Sequence, residues 1–301
     1  MVRTFYAVLI LLACAVSPVA AADAPPQSNL SAAEIVDKNV TARGGLQAWR
    51  AVETLSLEGK LGAGGNQRAA LSLPVPNPKQ GTLPARPTEE KELPFLLELK
   101  RHRKMRLELQ FNGQTAVQVY DGTNGWKFRP FLNRHDVEPY SDEELKIASS
   151  QADLDGPLVD YAAKGTRVEL DGVDKVENRD TYKLKLTLKN GRELHVWIDA
   201  QTFLEAKMEG APRRLDGTDH SVELYFRDYR PVGGVQIPHV LETHVLPVAK
   251  TAMGFRDPPV PVEKITIEKA VVNPKLDESL FAKPDPGAPS GGKPVAGAAL
   301  R

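Results

Sequence analysis

The sharpest local concentration of charge is Lys100-Arg101-His102-Arg103-Lys104. Binding to single-stranded nucleic acid needs aromatic side chains interleaved with such a run, on which bases can stack. None is present, and no nucleic-acid partner is expected. Two readings remain: a hairpin turn lined with solvated charge, or a contact for an anionic partner or lipid head groups. The six histidines, His102, His135, His195, His220, His239 and His244, are scattered. His239 and His244 are an odd number of residues apart, so on a strand they point to opposite faces and cannot chelate one ion. His195 and Trp197 share a face that is expected to meet solvent. Acidic groups such as Glu89-Glu90, Asp142-Glu143-Glu144 and Asp216 with Asp219 are plentiful. General acid–base work requires carboxylates in a cleft with separated pKa values, and spacing singles out no such pair. There is no Gly-rich phosphate loop, no HExxH and no GxSxG. No catalytic residue, metal ligand or cofactor site is expected, and the chain reads as a non-enzyme.

The single cysteine, Cys14, lies in an N-terminal segment with the three parts of a secretory signal. Arg3 supplies the positive charge, Phe5 to Val16 the apolar run, and Val19-Ala20-Ala21-Ala22 the small residues a signal peptidase reads. The apolar run falls short of the ~20 residues that a membrane-spanning helix needs. Residues 1–22 are therefore expected to be removed on export to the periplasm. The mature protein would then have no thiol, which excludes disulfides and thiolate chemistry. A second reading takes Leu11-Leu12-Ala13-Cys14 as a lipobox, with the chain anchored through an acylated Cys14. Lys+Arg and Asp+Glu both number 39, so no global field draws the protein to nucleic acid or an anionic membrane.

The elements that must position any site follow from periodicity. Ser31-Ala32-Ala33-Glu34 has capping-box spacing, Ile35, Val36 and Val40 share one helical face, and Gly44-Gly45 ends the helix. A further helical turn carries Leu46 and Trp49. From Thr54 the apolar period becomes two. It runs through Leu55 and Leu57, Met105 to Phe111, Tyr182 to Leu188, Leu194 to Ile198, Leu204 to Met208, Val222 to Phe226, and Ile265 to Ile267. Alternation of this kind predicts antiparallel strands with one dry face and one wet face. Asn112-Gly113 and Asn190-Gly191 predict hairpins, and Asp121-Gly122 and Gly233-Gly234 further turns. Pro74 to Pro94, with six prolines, reads as a long loop. Ser141 to Ala163 reads as two helices divided at Asp155-Gly156-Pro157, with Leu145, Ile147, Leu154, Leu158 and Tyr161 as their apolar stripe. The fold class is mainly β (α+β), with one domain over 23–284 and a disordered tail over 285–301.

In Asp121-Gly122-Thr123-Asn124-Gly125-Trp126-Lys127-Phe128 a tight turn leads to two aromatics on one strand face. They read either as core or as the wall of an apolar pocket. With the order of other features, this segment carries a resemblance. A helix ending in Gly-Gly is followed by Tyr120-Asp121-Gly122 with Gly125-Trp126. Then come Phe226-Arg227-Asp228-Tyr229-Arg230, Gly233-Gly234-Val235-Gln236-Ile237-Pro238, and Leu280-Phe281-Ala282-Lys283-Pro284. The chain resembles the outer-membrane lipoprotein-sorting proteins, the LolA/LolB-like group of periplasmic carriers.

That resemblance implies a curved antiparallel half-barrel with helices covering its concave face and acyl chains held between. The candidate ligand-binding residues are Leu107, Leu109, Trp126, Phe128, Leu184, Leu186, Val196 and Ile198, with the helix around Leu158 as a lid. The expected partner is a lipid or acylated protein, with an inner- or outer-membrane envelope protein as a further one, and the protein is expected to be a monomer. The alternative is a stress-sensing or regulatory interaction protein of the envelope, built on the same half-barrel.

Overall fold

A computed structural model describes residues 29–64, 90–130, 134–215, 217–248 and 260–286. The expected signal segment with Cys14, most of the Pro-rich stretch, and the tail beyond residue 286 lie outside the described residues.

The first helix, α1 (Ala32–Ala42), starts at the expected capping box. The Ser31 hydroxyl accepts from the Glu34 backbone N–H at 3.3 Å, and the Glu34 carboxylate accepts from the Ser31 N–H at 2.8 Å. Gly44 and Gly45, both at positive φ, turn the chain into α2 (Leu46–Arg50).

The sheet then begins at its own centre. β1 (Thr54–Gly64), β2 (Glu90–Lys100), β3 (Lys104–Phe111), β4 (Gln114–Tyr120), β5 (Gly125–Arg129) and β6 (Arg134–Pro139) step outward to one edge. α3 (Asp142–Gln151) and a series of turns carry the chain over the sheet to the opposite edge, where β7 (Arg167–Val176) starts the return. The return runs through β8 (Arg179–Thr187), β9 (Glu193–Asp199) and β10 (Glu205–Glu209). A separate small hairpin, β11 (Arg213–Leu215) and β12 (Thr218–His220), interrupts it. The sheet resumes with β13 (Val222–Val232), β14 (Val235–Val245) and β15 (Glu263–Val272), which pairs with β1. The result is one curved, open, antiparallel sheet of 13 strands, not closed into a barrel, with helices over its concave face.

The hairpin expected at Asn112-Gly113 forms as a left-handed two-residue turn (φ 50° and 73°), and the turn expected at Gly233-Gly234 (57° and 88°) is a second such hairpin, joining β13 and β14. Two others contain no glycine at all: His102-Arg103 (67° and 61°) and Glu177-Asn178 (50° and 65°). Neither carries the composition that marks such a turn.

Several expectations need correction. The stretch after Asp155-Gly156-Pro157 is a series of turns and not a second helix. Gly156 and Gly165 take φ of 72° and 74° and Asp160 takes 53°, all outside the helical region. In α3 and its C-cap the inward residues are Leu145, Ala148 and Ala152, whereas Ile147 points to solvent. The last residues of the Pro-rich stretch belong to β2, with Pro94 opposite Lys60. Pairing of β2 with β3 starts only at Phe95, so Pro94 lies where one side of the strand is free, as proline requires. In β10 a bulge between Glu205 and Lys207 breaks the expected alternation. Ala206 therefore packs with Trp197 and Val176 on the convex side, while Met208 stays with the concave core.

Candidate functional site

Register decides which side chains share a face, because directly opposed residues project to the same side. One half of the concave face is filled. Leu184, Leu186, Val196 and Ile198, from β8 and β9, have no exposed surface, and neither does Leu158 from the turn segment. Ile35 and Val36 of α1 complete this cluster. These five candidate residues are packed core, and the lid expected around Leu158 is itself part of that core.

The other half is only partly covered. Five residues on five adjacent strands are opposed in an unbroken line: Leu93 (β2), Leu61 (β1), Ile265 (β15), Leu241 (β14) and Phe226 (β13). All five are half-buried. Strands lie 4.7–4.9 Å apart, so the line spans ~19 Å. Beside it lie Phe95 with Leu109 and Leu97 with Leu107, cross-strand pairs of half-buried side chains on the same face. Gly59 allows a close backbone approach here: a β-carbon at this position would overlap the Thr266 carbonyl oxygen and crowd the Phe95 ring.

Trp126 and Phe128 are elsewhere. They oppose Val119 and Val117, which in turn oppose Arg106 and Glu108. That places them on the convex face, opposite to Leu107 and Leu109. A C-terminal 3-10 turn, Glu278–Phe281, docks on this side through Arg106 Nη1, which donates to the Leu280 carbonyl at 3.2 Å. Phe281 is buried. Glu98, opposed to Arg106, is buried on the same face. Burial pushes its carboxyl up; the Arg106 guanidinium opposes this, and Glu108 and Glu58 add to the rise.

The basic run is a hairpin turn, as one reading has it, with Arg103 exposed and the other three cations paired. Arg101 forks onto the Asp155 carboxylate, with both bonds at 2.9 Å, and Lys100 and Lys104 both reach Glu278. Arg50 makes a second fork onto Asp160. Together these forks fasten the turn segment that crosses the concave face. A cleft of about 200 Å³ lies there between Arg101, Arg103 and Lys164 and the carboxylates Asp153 and Asp155. Lys164 is paired with Asp153 and Arg101 with Asp155, and Arg103 lies 3.8 Å from Asp153, so the cleft is a clasp of ion pairs with one cation in excess.

A second buried polar group ties α1 to the return strands. Arg43 pairs with Glu205 at 3.2 Å and stacks on Trp49, with its guanidinium carbon 4.2 Å from the ring centre. The Tyr229 hydroxyl donates to Glu205 at 3.1 Å. Burial, and then the Glu205 carboxylate, hold the Tyr229 hydroxyl well above the usual range for tyrosine. On the convex face Trp197, expected to be exposed, is buried. Its indole N–H donates to Asp174, and the Lys207 ammonium lies 3.9 Å from its ring centre. No group of three or more His, Cys, Asp or Glu is placed to hold a metal ion among the described residues.

No family model matches the chain, and no curated protein matches it. Solved structures are similar in architecture. A LolA superfamily protein from Nitrosomonas europaea is 12% identical, covers 84% of this chain and 98% of its own, and has a TM-score of 0.49. An outer membrane lipoprotein-sorting protein domain from Vibrio parahaemolyticus is 13% identical, with coverages of 83% and 95% and a TM-score of 0.47. A DUF1329 family protein from Desulfovibrio piger is 14% identical, with coverages of 83% and 97% and a TM-score of 0.49.

Proposed function

We propose that the protein is a non-enzymatic binding protein of the periplasm that shelters an apolar or acylated ligand on the open half of its concave face. The observation that carries this reading is the half-buried line Leu93–Leu61–Ile265–Leu241–Phe226. It lies on the same curved face whose other half is filled by α1 and the turn segment. An acyl chain laid along it gains ~0.8 kcal/mol for each CH₂ removed from water. Leu107 and Leu109 belong to this bed; Leu158, Leu184, Leu186, Val196 and Ile198 support it from the sealed half, and Trp126 and Phe128 take no part. Export through residues 1–22 would bring the protein to a compartment where acylated molecules must cross water, a task that needs shelter and no covalent step. The partner is then a lipid or the acyl chains of a lipoprotein.

The test is native mass spectrometry of the protein purified gently from the periplasm, followed by organic extraction and lipid analysis. The reading expects co-purifying lipid that leaves on extraction. Protein without bound lipid that also takes up no fluorescent acyl probe would overturn it.

A further inference from the structure

The open half of the concave face ends in a charged pair. On β15 the residue beyond Ile265 on the same face is Glu263, opposed to Thr243 of β14 and through it to Leu224 of β13. The Arg213 guanidinium forks onto its carboxylate, with Nη1 donating to Oε1 at 2.6 Å and Nη2 to Oε2 at 3.0 Å. Arg213 opens the β11–β12 hairpin, which leaves the sheet between β10 and β13. To reach Glu263 it passes the ends of β13 and β14 on the concave side. The base of the hairpin is held in place: the Gly210 N–H donates to the Val222 carbonyl at 2.8 Å, and the buried His220 ring lies 3.0 Å from the Leu246 carbonyl. The hairpin thus carries one guanidinium to the flank of the apolar line, beside its middle member Ile265. The side chains of Arg213 and Glu263 keep 39% and 32% of their surface exposed, so a ligand arriving from solvent can touch both.

We propose that Arg213 is the head-group contact of this site, and that it takes the carboxylate or phosphate of an anionic amphiphile in exchange for Glu263. The assignment rests on the reading that the open half binds an acyl chain. A guanidinium forks equally well onto a carboxylate or a phosphate. A half-exposed ion pair contributes little by itself, so giving up Glu263 costs little, and a head group held at Arg213 by its own buried chain gains the larger part of one charge-assisted bond. An uncharged head would instead leave the Arg213–Glu263 pair in place and add no polar contact.

Equilibrium binding of labelled hexadecanoate and labelled hexadecanol to the full mature protein at pH 7.5 tests the assignment, with acetate as competitor. Wild type is expected to prefer hexadecanoate by roughly tenfold, the scale of one charge-assisted contact. In Arg213→Gln the two affinities become equal while that for hexadecanol is unchanged, which also shows that the variant is folded. Glu263→Gln raises the preference several-fold, and millimolar acetate displaces neither ligand. An equal preference in wild type and Arg213→Gln would overturn the head-group role, as would acetate displacing hexadecanoate, which indicates a site for free anions. Binding of neither ligand would overturn the acyl-binding reading itself, and this assignment with it.

Discussion

Gly44, at the end of α1, packs so closely on Gly234 that a β-carbon on Gly44 would overlap the Gly234 carbonyl oxygen. Two glycine pairs 190 residues apart in the chain thus form one contact. The neighbouring Arg43 carbonyl strengthens it by accepting from the Gln236 N–H at 2.9 Å and from the Trp49 indole at 3.0 Å. Through this joint the N-terminal helix is fixed to the β13–β14 hairpin, and its apolar face is fixed over the filled half of the sheet.

Gly44→Ala is expected to lose about 2 kcal/mol or more, because a φ of 115° is strained for alanine and the added methyl meets backbone that cannot yield. Gly45→Ala, at φ 92° but with open space around it, should lose only about 1 kcal/mol from backbone strain. Urea unfolding of both variants measures the difference; equal losses would show that the Gly44–Gly234 contact contributes nothing.

The two halves of the concave face should respond differently to substitution. Leu184→Ala, in the sealed half, is expected to cost about 2–5 kcal/mol of stability. Phe226→Ser, in the half-buried line, should cost clearly less while weakening an acyl probe by roughly tenfold, the equivalent of about 1.4 kcal/mol. Thermal unfolding and probe titration of each variant separate the effects.

Arg101 and Asp155 fasten the turn segment to the β2–β3 hairpin. A double-mutant cycle with Arg101→Met and Asp155→Asn should give a coupling of about 1–2 kcal/mol. Asp155 is buried and Arg101 mostly so, so this fork should exceed the more exposed Arg50–Asp160 fork, for which little coupling is expected. Chemical unfolding of the two cycles provides the comparison.

Glu98 carries a pH dependence whose sign is set by its raised pKa, caused first by burial. The folded state holds its proton more tightly than the unfolded state, so stability falls as pH rises from the unfolded carboxyl value, near 4.3, through the folded one. Glu98→Gln should therefore stabilise the protein at pH 7, and the gain should vanish near pH 4. Unfolding midpoints of both proteins across this interval test it; a gain that grows toward acid would contradict the burial argument.

Much of the fold could be read from the chain because its signals are local. The Ser31 and Ser141 capping boxes, the period of two in β3, β8, β9 and β13, and the Asn112-Gly113 turn each depend on residues within a few positions of one another. The hairpin at Glu177-Asn178 escaped because its left-handed turn lacks glycine, and β2 was partly hidden by the prolines before it.

For the site, sequence alone determined that strands with one apolar face exist, since alternation follows from the geometry of a single strand. It could not determine which of those faces meet, because that depends on register between strands and on bulges. Trp126 and Leu107 look alike in the chain, yet pairing through Val119 and Arg106 puts them on opposite sides of the sheet. Leu184 and Leu241 look alike as well. Only the path of α1 and the turn segment over the sheet buries the first and leaves the second half-open. Burial is a property of what arrives from elsewhere in the chain, and for this protein it separates core from candidate site.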